Sequence, residues 1–300
     1  MRTMDLSELT SNSGPMVMLP RSDLIEVLRK ACRDLPIHMD TSVVGIDQGH
    51  EVVHVTFSDK TEDDFGLLVG CDGIHSQVRA SLFGQQEGFD TGWTAWTWWG
   101  RGDLFPADTV HEYWGDGFFF GAHPVRGRCM FCAVLPNNRI TNLHAPAEHA
   151  RSVIASATRE ITARDQSIRF AIDDAERIYA WPMIDIRARE WFRGRVALCG
   201  DAAAAFLPTA GVGASNALRA AAALGDELSR ADEALVPTAL DLYVKRCMKI
   251  VWGNQDDSRL AARYMFVESR LMGWGRDEIV KHYPAQRMLS QIAESMRQPF

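Results

Sequence analysis

The chain contains no run of about 18 uncharged apolar residues, the length a helix needs to cross a bilayer. Its opening residues, MRTMDLSELTSNSG, lack the apolar core of a signal peptide, so the sequence points to the cytoplasm. Nor is there a long Lys/Arg run, and the formal net charge is -7. Affinity built on neutralising phosphates needs the opposite sign, which argues against nucleic acid as a partner. Repeats and low-complexity linkers are also missing. Cysteine is sparse: six residues are scattered through predicted strands and helices, which excludes a disulfide scaffold and fits a reducing compartment. Cys129 and Cys132 form a CxxC, but within the strand-like run RCMFCAVL an offset of three sends the side chains to opposite faces. Plain strand cysteines are therefore expected over a metal or redox pair.

What is present is the composition of a globular protein. Three hundred residues, 46% hydrophobic and 24% charged, suffice for one large core or two modest ones. PRSDLIEVLRKACRDL predicts a helix with Leu24, Val27, Leu28 and Ala31 on one face and Ser22 or Asp23 as its cap, supported by Glu26. From Pro36 to Val69 the pattern is strand-like, with Val53, Val55 and Phe57 alternating, a turn at Ser58-Asp59-Lys60, and a continuous apolar run ending at Val69. Residues 89–136 hold five of the nine tryptophans, Trp93, Trp96, Trp98, Trp99 and Trp114, in strand-like runs punctuated by Gly and Pro. They predict an antiparallel sheet with an aromatic core face. His111 and His123 lie there as candidate acid-base groups set against ordinary satisfied histidines. Ala145 to Ala163 predicts a helix, RIYAWPMID a returning strand, and the chain beyond Leu228 is read as helical to its end, with Pro237 opening a helix that carries Leu240, Tyr243, Val244 and Cys247.

Two stretches look like ligand loops. GCDGIHSQVRASLFG follows the apolar strand: Gly70 and Gly73 permit a tight turn, Asp72 offers a carboxylate, and Ser76 can cap a helix carrying Val78, Leu82 and Phe83. GRVALCGDAAAAFLPTAGVGASNALRAAAALGDEL reads as a strand (Val196 to Cys199), a Gly200-Asp201 turn, a Pro208/Gly211/Gly213 loop and an Ala-rich helix. That layout lets backbone amides and a helix N-terminus meet an anionic or dipolar ligand. Ala214, Leu218, Ala221, Gly225 and Leu228 form the expected packing stripe of this helix.

GCDGIHSQVR resembles the DG motif, and GRVALCGDAAAAFLPTAGVGASNAL the GD motif, of the FAD-dependent aromatic-hydroxylase-like monooxygenases, the group of salicylate and 4-hydroxybenzoate hydroxylases. PRSDLIEVL, the Trp-rich TGWTAWTWWGRGD and the tail segment LDLYVKRCMKIVWGNQDDSRL follow in family order. The resemblance implies an α/β (mixed α+β) fold: a Rossmann-like FAD domain, an inserted mainly antiparallel sheet for the substrate, and a helical C-terminus. The domains expected are 1–88 with 185–228 for FAD, 89–184 for substrate, and 229–300 as a helical region. Cofactor contacts are implied for Arg21, Asp72, Gly73, Gly200, Asp201, Pro208, Gly211, Gly213 and Ala214. Arg21 suits a pyrophosphate or the polar flavin edge, Asp201 the sugar-like part of FAD, and the Pro208/Gly211/Gly213 loop the isoalloxazine. No catalytic side chain is implied, because the chemistry belongs to the flavin. NAD(P)H would be the reductant, and O2, through a flavin C4a-hydroperoxide, would hydroxylate or epoxidise an aromatic or hydrophobic small molecule.

The sequence departs from the family in having Ala204 where His is usual after Asp201-Ala202-Ala203, and no acidic residue around Arg219-Ala220. It also contains no GxGxxG, the loop that opens the family's fold and binds the ADP part of FAD. Three expectations stay open: an artificially late start, an element supplied by a partner chain or second copy, or a homologue that has lost FAD and acts in binding or assembly. A reductase or cyclase of the same fold is a further alternative.

Overall fold

Val53 and Val55 have no solvent exposure, whereas His54 and Thr56 are only half-buried, and this alternation makes strand β2 (Val53–Phe57) one-sided. It pairs antiparallel with β1 (Val43–Gln48) and β3 (Glu62–Phe65), and Lys60 takes a φ of 71° in the β2–β3 turn. The computed structural model describes residues 18–140, 142 and 146–282. The opening MRTMDLSELTSNSG, the Ala145 helix start and the tail beyond residue 282 lie outside them.

The described chain divides into two compact units. One comprises residues 36–89 and 184–261. Besides the β1–β3 sheet it holds a three-stranded sheet in the order β10 (Phe192–Arg193), β11 (Val196–Leu198), β4 (Leu68–Gly70). β10 is antiparallel to β11, and β4 is parallel to it. Around this sheet stand α2 (Gln77–Phe83), α6 (Asp201–Ala204), α7 (Gly213–Leu228) and most of α8 (Val236–Met265). Val78, Trp191, Val196, Leu198, Leu240 and Tyr243 form the heart of its core.

The second unit comprises residues 18–35, 90–183 and 262–282. Its five-stranded sheet has the order β6 (His111–Gly115), β7 (Phe118–Val125), β8 (Arg128–Pro136), β5 (Phe89–Arg101), β9 (Tyr179–Arg187). Every second residue, including Trp96, Trp98, Phe120 and Phe131, joins a core with Ile154 of α3 (Ala147–Ala157) and Ile168 and Ile172 of α5 (Gln166–Asp173). Trp98 satisfies its buried indole by donating to the Ala171 carbonyl at 2.8 Å. Between these helices lies the short α4 (Arg159–Thr162), set off from α3 at Thr158, whose hydroxyl donates to Ile154 O. Residues after 262 belong here because Phe266 stacks on Trp93 (5.2 Å), Gly117 N–H donates to Val267 O, and Arg276 of α9 (Arg270–His282) donates to Trp114 O. The result is a mixed α/β fold with mainly antiparallel sheets and a helical C-terminal part, as the resemblance implied. Among the described residues no helix is long and apolar enough to cross a membrane.

Two local expectations are corrected. The first helix, α1 (Arg21–Ala31), forms, but neither Ser22 nor Asp23 caps it. Pro20 stands at the cap and its carbonyl receives Asp23 and Leu24 N–H, while the Ser22 hydroxyl bonds Asp23 and the Asp23 carboxylate is engaged by Arg126 at 2.6 Å. Its apolar face stays largely open among the described residues, with Val27 61% exposed. In α7 the buried stripe is Asn216, Ala220, Ala223 and Leu224, not the one through Ala214, Leu218 and Ala221. In an Ala-rich helix both faces are apolar enough to bury, and the bond from Asn254 Nδ2 to Asn216 Oδ1 (2.9 Å) marks the face turned to α8.

Asp185 is fully buried and held by both arms of Arg259, each at 2.7 Å. Replacing Arg259 by Ala leaves an uncompensated buried carboxylate, a loss expected at about 3 kcal/mol in urea unfolding. Adding Asp185→Asn to that variant should restore part of it, because the buried charge is gone.

Candidate functional site

At the end of β4, a Cβ on Gly70 would come within 2.8 Å of Val78 and 3.1 Å of Leu198, so only glycine lets strand and helix approach this closely. The chain then turns through Cys71, Asp72 and Gly73. The Asp72 carboxylate accepts from the N–H groups of Gln77 (2.7 Å) and Val78 (3.1 Å), and the Ser76 hydroxyl accepts from Arg79 N–H (2.9 Å). Three amides at the start of α2 are thereby satisfied, and Asp72 is held as the frame of its own loop.

β11 lies beside β4 with Leu198 opposite Gly70. It ends at Gly200, whose φ of 61° and ψ of -139° a side chain would strain. Asp201 follows, exposed, as the first residue of α6. The Asp72-Gly73 and Gly200-Asp201 turns thus leave the same edge of the parallel pair, the edge where ligands of open α/β sheets collect.

Arg79, quoted within the DG motif but assigned no role from the sequence, fastens these turns together. It is 6% exposed, and its guanidinium donates to Ala202 O at 2.8 Å and Ile74 O at 2.6 Å. Its partner Ala202 is 123 positions away in the chain. The available signal was an arginine three and four residues before Leu82 and Phe83, on a helix face that otherwise buries apolar side chains.

From the other side, α8 props the loop that follows. The fully buried Gln255 amide donates to Ile186 O (2.9 Å) and Ala205 O (2.7 Å), and Thr209 donates to Ser258 O (2.6 Å). Pro208 opens a 3₁₀ turn, Gly211 closes it, and Gly213 and Ala214 begin α7, where no side chain caps the first amides. The structure therefore gathers Asp72, Gly73, Gly200, Asp201, Pro208, Gly211, Gly213 and Ala214 in one unit. Arg21 belongs to the other unit, where it lines a cleft of about 400 Å³ with Asp23, Trp99, Arg126 and Arg128.

In that unit the sheet face opposite the Trp98 core carries a mixed aromatic and polar set. Thr97, Cys132, Gly121 and Glu112 stand side by side in register, and Trp114 donates its indole N–H to Glu112 (3.0 Å). The Cys132 sulfur lies 3.8 Å from His123 Nε2. Burial raises the Glu112 pKa, lowers that of His123, and pushes the Cys132 thiol up to about 12, so imidazole and thiol are both neutral at pH 7. The Cys129 and Cys132 side chains diverge as their spacing required, Cys129 joining the core. His111 is turned the other way, against Phe105 at 5.1 Å.

The chain is similar to known proteins. The chain is 27% identical to aurachin C monooxygenase/isomerase of Stigmatella aurantiaca over 98% of its length and 76% of that protein. To the 2-heptyl-3-hydroxy-4(1H)-quinolone synthase of Pseudomonas aeruginosa it is 31% identical over 71% of its length. It spans 56% of that synthase and 57% of a flavin-dependent monooxygenase from an unknown prokaryotic organism, less than two thirds of each. In fold it matches Klebsiella pneumoniae HpxO, solved with FAD and uric acid, with a TM-score of 0.85 at 20% identity over 97% of this chain and 75% of that one. The family model described as FAD binding domain matches residues 1–258. With both motif turns on one sheet edge and the family model covering most of the sequence, the chain belongs to the FAD-dependent aromatic-hydroxylase-like monooxygenases.

Proposed function

We propose that the protein is a monooxygenase that uses FAD, NAD(P)H and O2 to hydroxylate or epoxidise an aromatic or hydrophobic small molecule. The observation that carries this reading is the pair of turns on the β4–β11 edge, locked to each other by Arg79. The residues fit FAD. Gly200 holds a backbone conformation closed to side chains, Asp201 presents an exposed carboxylate to sugar-like hydroxyls, and the uncapped first turn of α7 favours negative charge. When bound, FAD supplies the redox chemistry that activates oxygen.

The chain's own residues hold and shield. Asp201, Gly200 and the Pro208/Gly211/Gly213 loop with Ala214 bind the cofactor, and Asp72 and Gly73 shape the neighbouring turn. The second face of the five-stranded sheet takes the substrate: Trp114 supplies apolar area, and Glu112 and His123 supply hydrogen bonds to its polar edge. A heteroaromatic ring with an apolar substituent suits that face, and the relative named for a 2-heptyl quinolone favours the same class. Its apolar walls exclude water from the reacting ring. The protein acts in the cytoplasm, either alone or with a second copy or partner chain.

Purified protein should be yellow and should oxidise NAD(P)H faster when an alkyl quinolone is added; a colourless preparation that takes up no added FAD overturns the reading. Asp201→Ala is expected to weaken FAD at least tenfold by fluorescence titration, about 1.4 kcal/mol, and unchanged affinity would remove Asp201 from the site. Arg79→Ala should lower stability by about 2–3 kcal/mol, the scale of a charged hydrogen bond, and should loosen FAD with it. Calorimetric melting with and without FAD reads both effects.

A further inference from the structure

Cys71 and Cys199 occupy matching places where β4 and β11 end. The ladder pairs Leu198 with Gly70, and Cys199 N–H donates to Gly70 O at 2.9 Å, so the next residues in register are Cys199 and Cys71. Parallel neighbours at one level point to the same face, and strands about 4.8 Å apart fall within the Cα separation of roughly 4.4–6.8 Å that a disulfide spans. The two thiols are close enough to shift each other's ionisation. Cys71 is exposed, whereas Cys199 is 3% exposed and sits beside the Tyr243 hydroxyl and the Gly200 amide.

The chemistry of the pair is asymmetric. Interaction with the Cys71 thiol and the Gly200 N–H lowers the Cys199 pKa, while the same interaction raises that of Cys71. Cys199 is thus the more acidic thiol of the pair and Cys71 the proton-bearing neighbour. At the other internal cysteines burial raises the pKa without such an offset: Cys129 rises to about 11, and Cys132 and Cys247 to about 12.

We propose that Cys71 and Cys199 form a peroxide-reactive dithiol, a modification site that closes to a disulfide between the two motif turns. The Cys199 sulfur attacks one oxygen of hydrogen peroxide, the O–O bond breaks, and the departing hydroxide takes a proton from solvent as water. Cys199 becomes a sulfenic acid. The Cys71 sulfur then attacks the Cys199 sulfur, the S–O bond breaks, and the hydroxyl leaves with the Cys71 proton as a second water. Two thiols lose two electrons in all, and one peroxide is reduced to two waters. The bond would join Cys71, next to Asp72, with Cys199, next to Gly200. It does not require FAD to be bound.

The full chain is treated with hydrogen peroxide, alkylated and mapped by mass spectrometry. A peptide linking Cys71 to Cys199 is expected, formed ahead of any oxidation of the exposed Cys32. Below pH 7 the rate should fall about tenfold per pH unit with the thiolate fraction. Cys71→Ser, a change at an exposed position, should abolish the linked peptide and leave Cys199 as a sulfenic acid trapped by dimedone, with an unaltered circular dichroism spectrum. No linked peptide in natively folded wild-type protein overturns the proposal. So does prior oxidation of Cys32, or a rate that is flat across neutrality. Should Cys71→Ser not fold, the presence or absence of the linked peptide in the wild-type chain decides the proposal.

Discussion

Everything proposed for this molecule depends on one short parallel contact, β4 against β11. It is three residues long, and by itself a ladder of that size contributes little. Its effect is geometric. Because the strands run the same way, their ends lie together, and two turns from distant parts of the chain open at one edge. An antiparallel pairing would have sent Asp72 and Asp201 to opposite ends of the sheet. Gly70 makes the contact possible by letting α2 lie against the strand, and Arg79 secures it by reaching across to Ala202.

The supports around this contact are polar and buried, which raises their cost if broken. Gln255, Asn216 and Asn254 are nearly inaccessible, and each has its hydrogen-bonding partner. Such groups tolerate only one arrangement of the loop, since any other leaves amide groups without partners in a medium that cannot hydrate them. Long helix α8 therefore acts as a ruler, carrying Tyr243 to Leu198 O, Gln255 to the strand and loop, and Arg259 to Asp185. The chain from Ala205 to Thr209 is held in place by this helix.

The five-stranded sheet shows the complementary principle. Its period-two alternation sorts the tryptophans and phenylalanines: those paired with Trp98 pack under helices, and those beside Glu112 do not. One face makes the core under the helices, and on the other Trp93 and Phe119 pack against Phe266. Desolvation raises the pKa of the glutamate and lowers that of the histidine on that second face.

Much of this was legible without coordinates. Alternation at Val53 and Val55, the strand-turn-helix around Asp72, the Ser76 cap and the GD turn all follow from local stereochemistry, and so they can be read from neighbouring residues alone. The family and its cofactor followed from two motifs in the right order. Tertiary structure alone decided which face of the alanine-rich α7 is buried, because alanine satisfies either side and a distant Asn254 breaks the tie. It alone placed Arg79 between the turns, drew Asp23 away from capping to Arg126, and set Cys71 beside Cys199. Each of these is a contact between residues far apart in sequence. Local pattern determines which element forms, and only packing determines what that element meets.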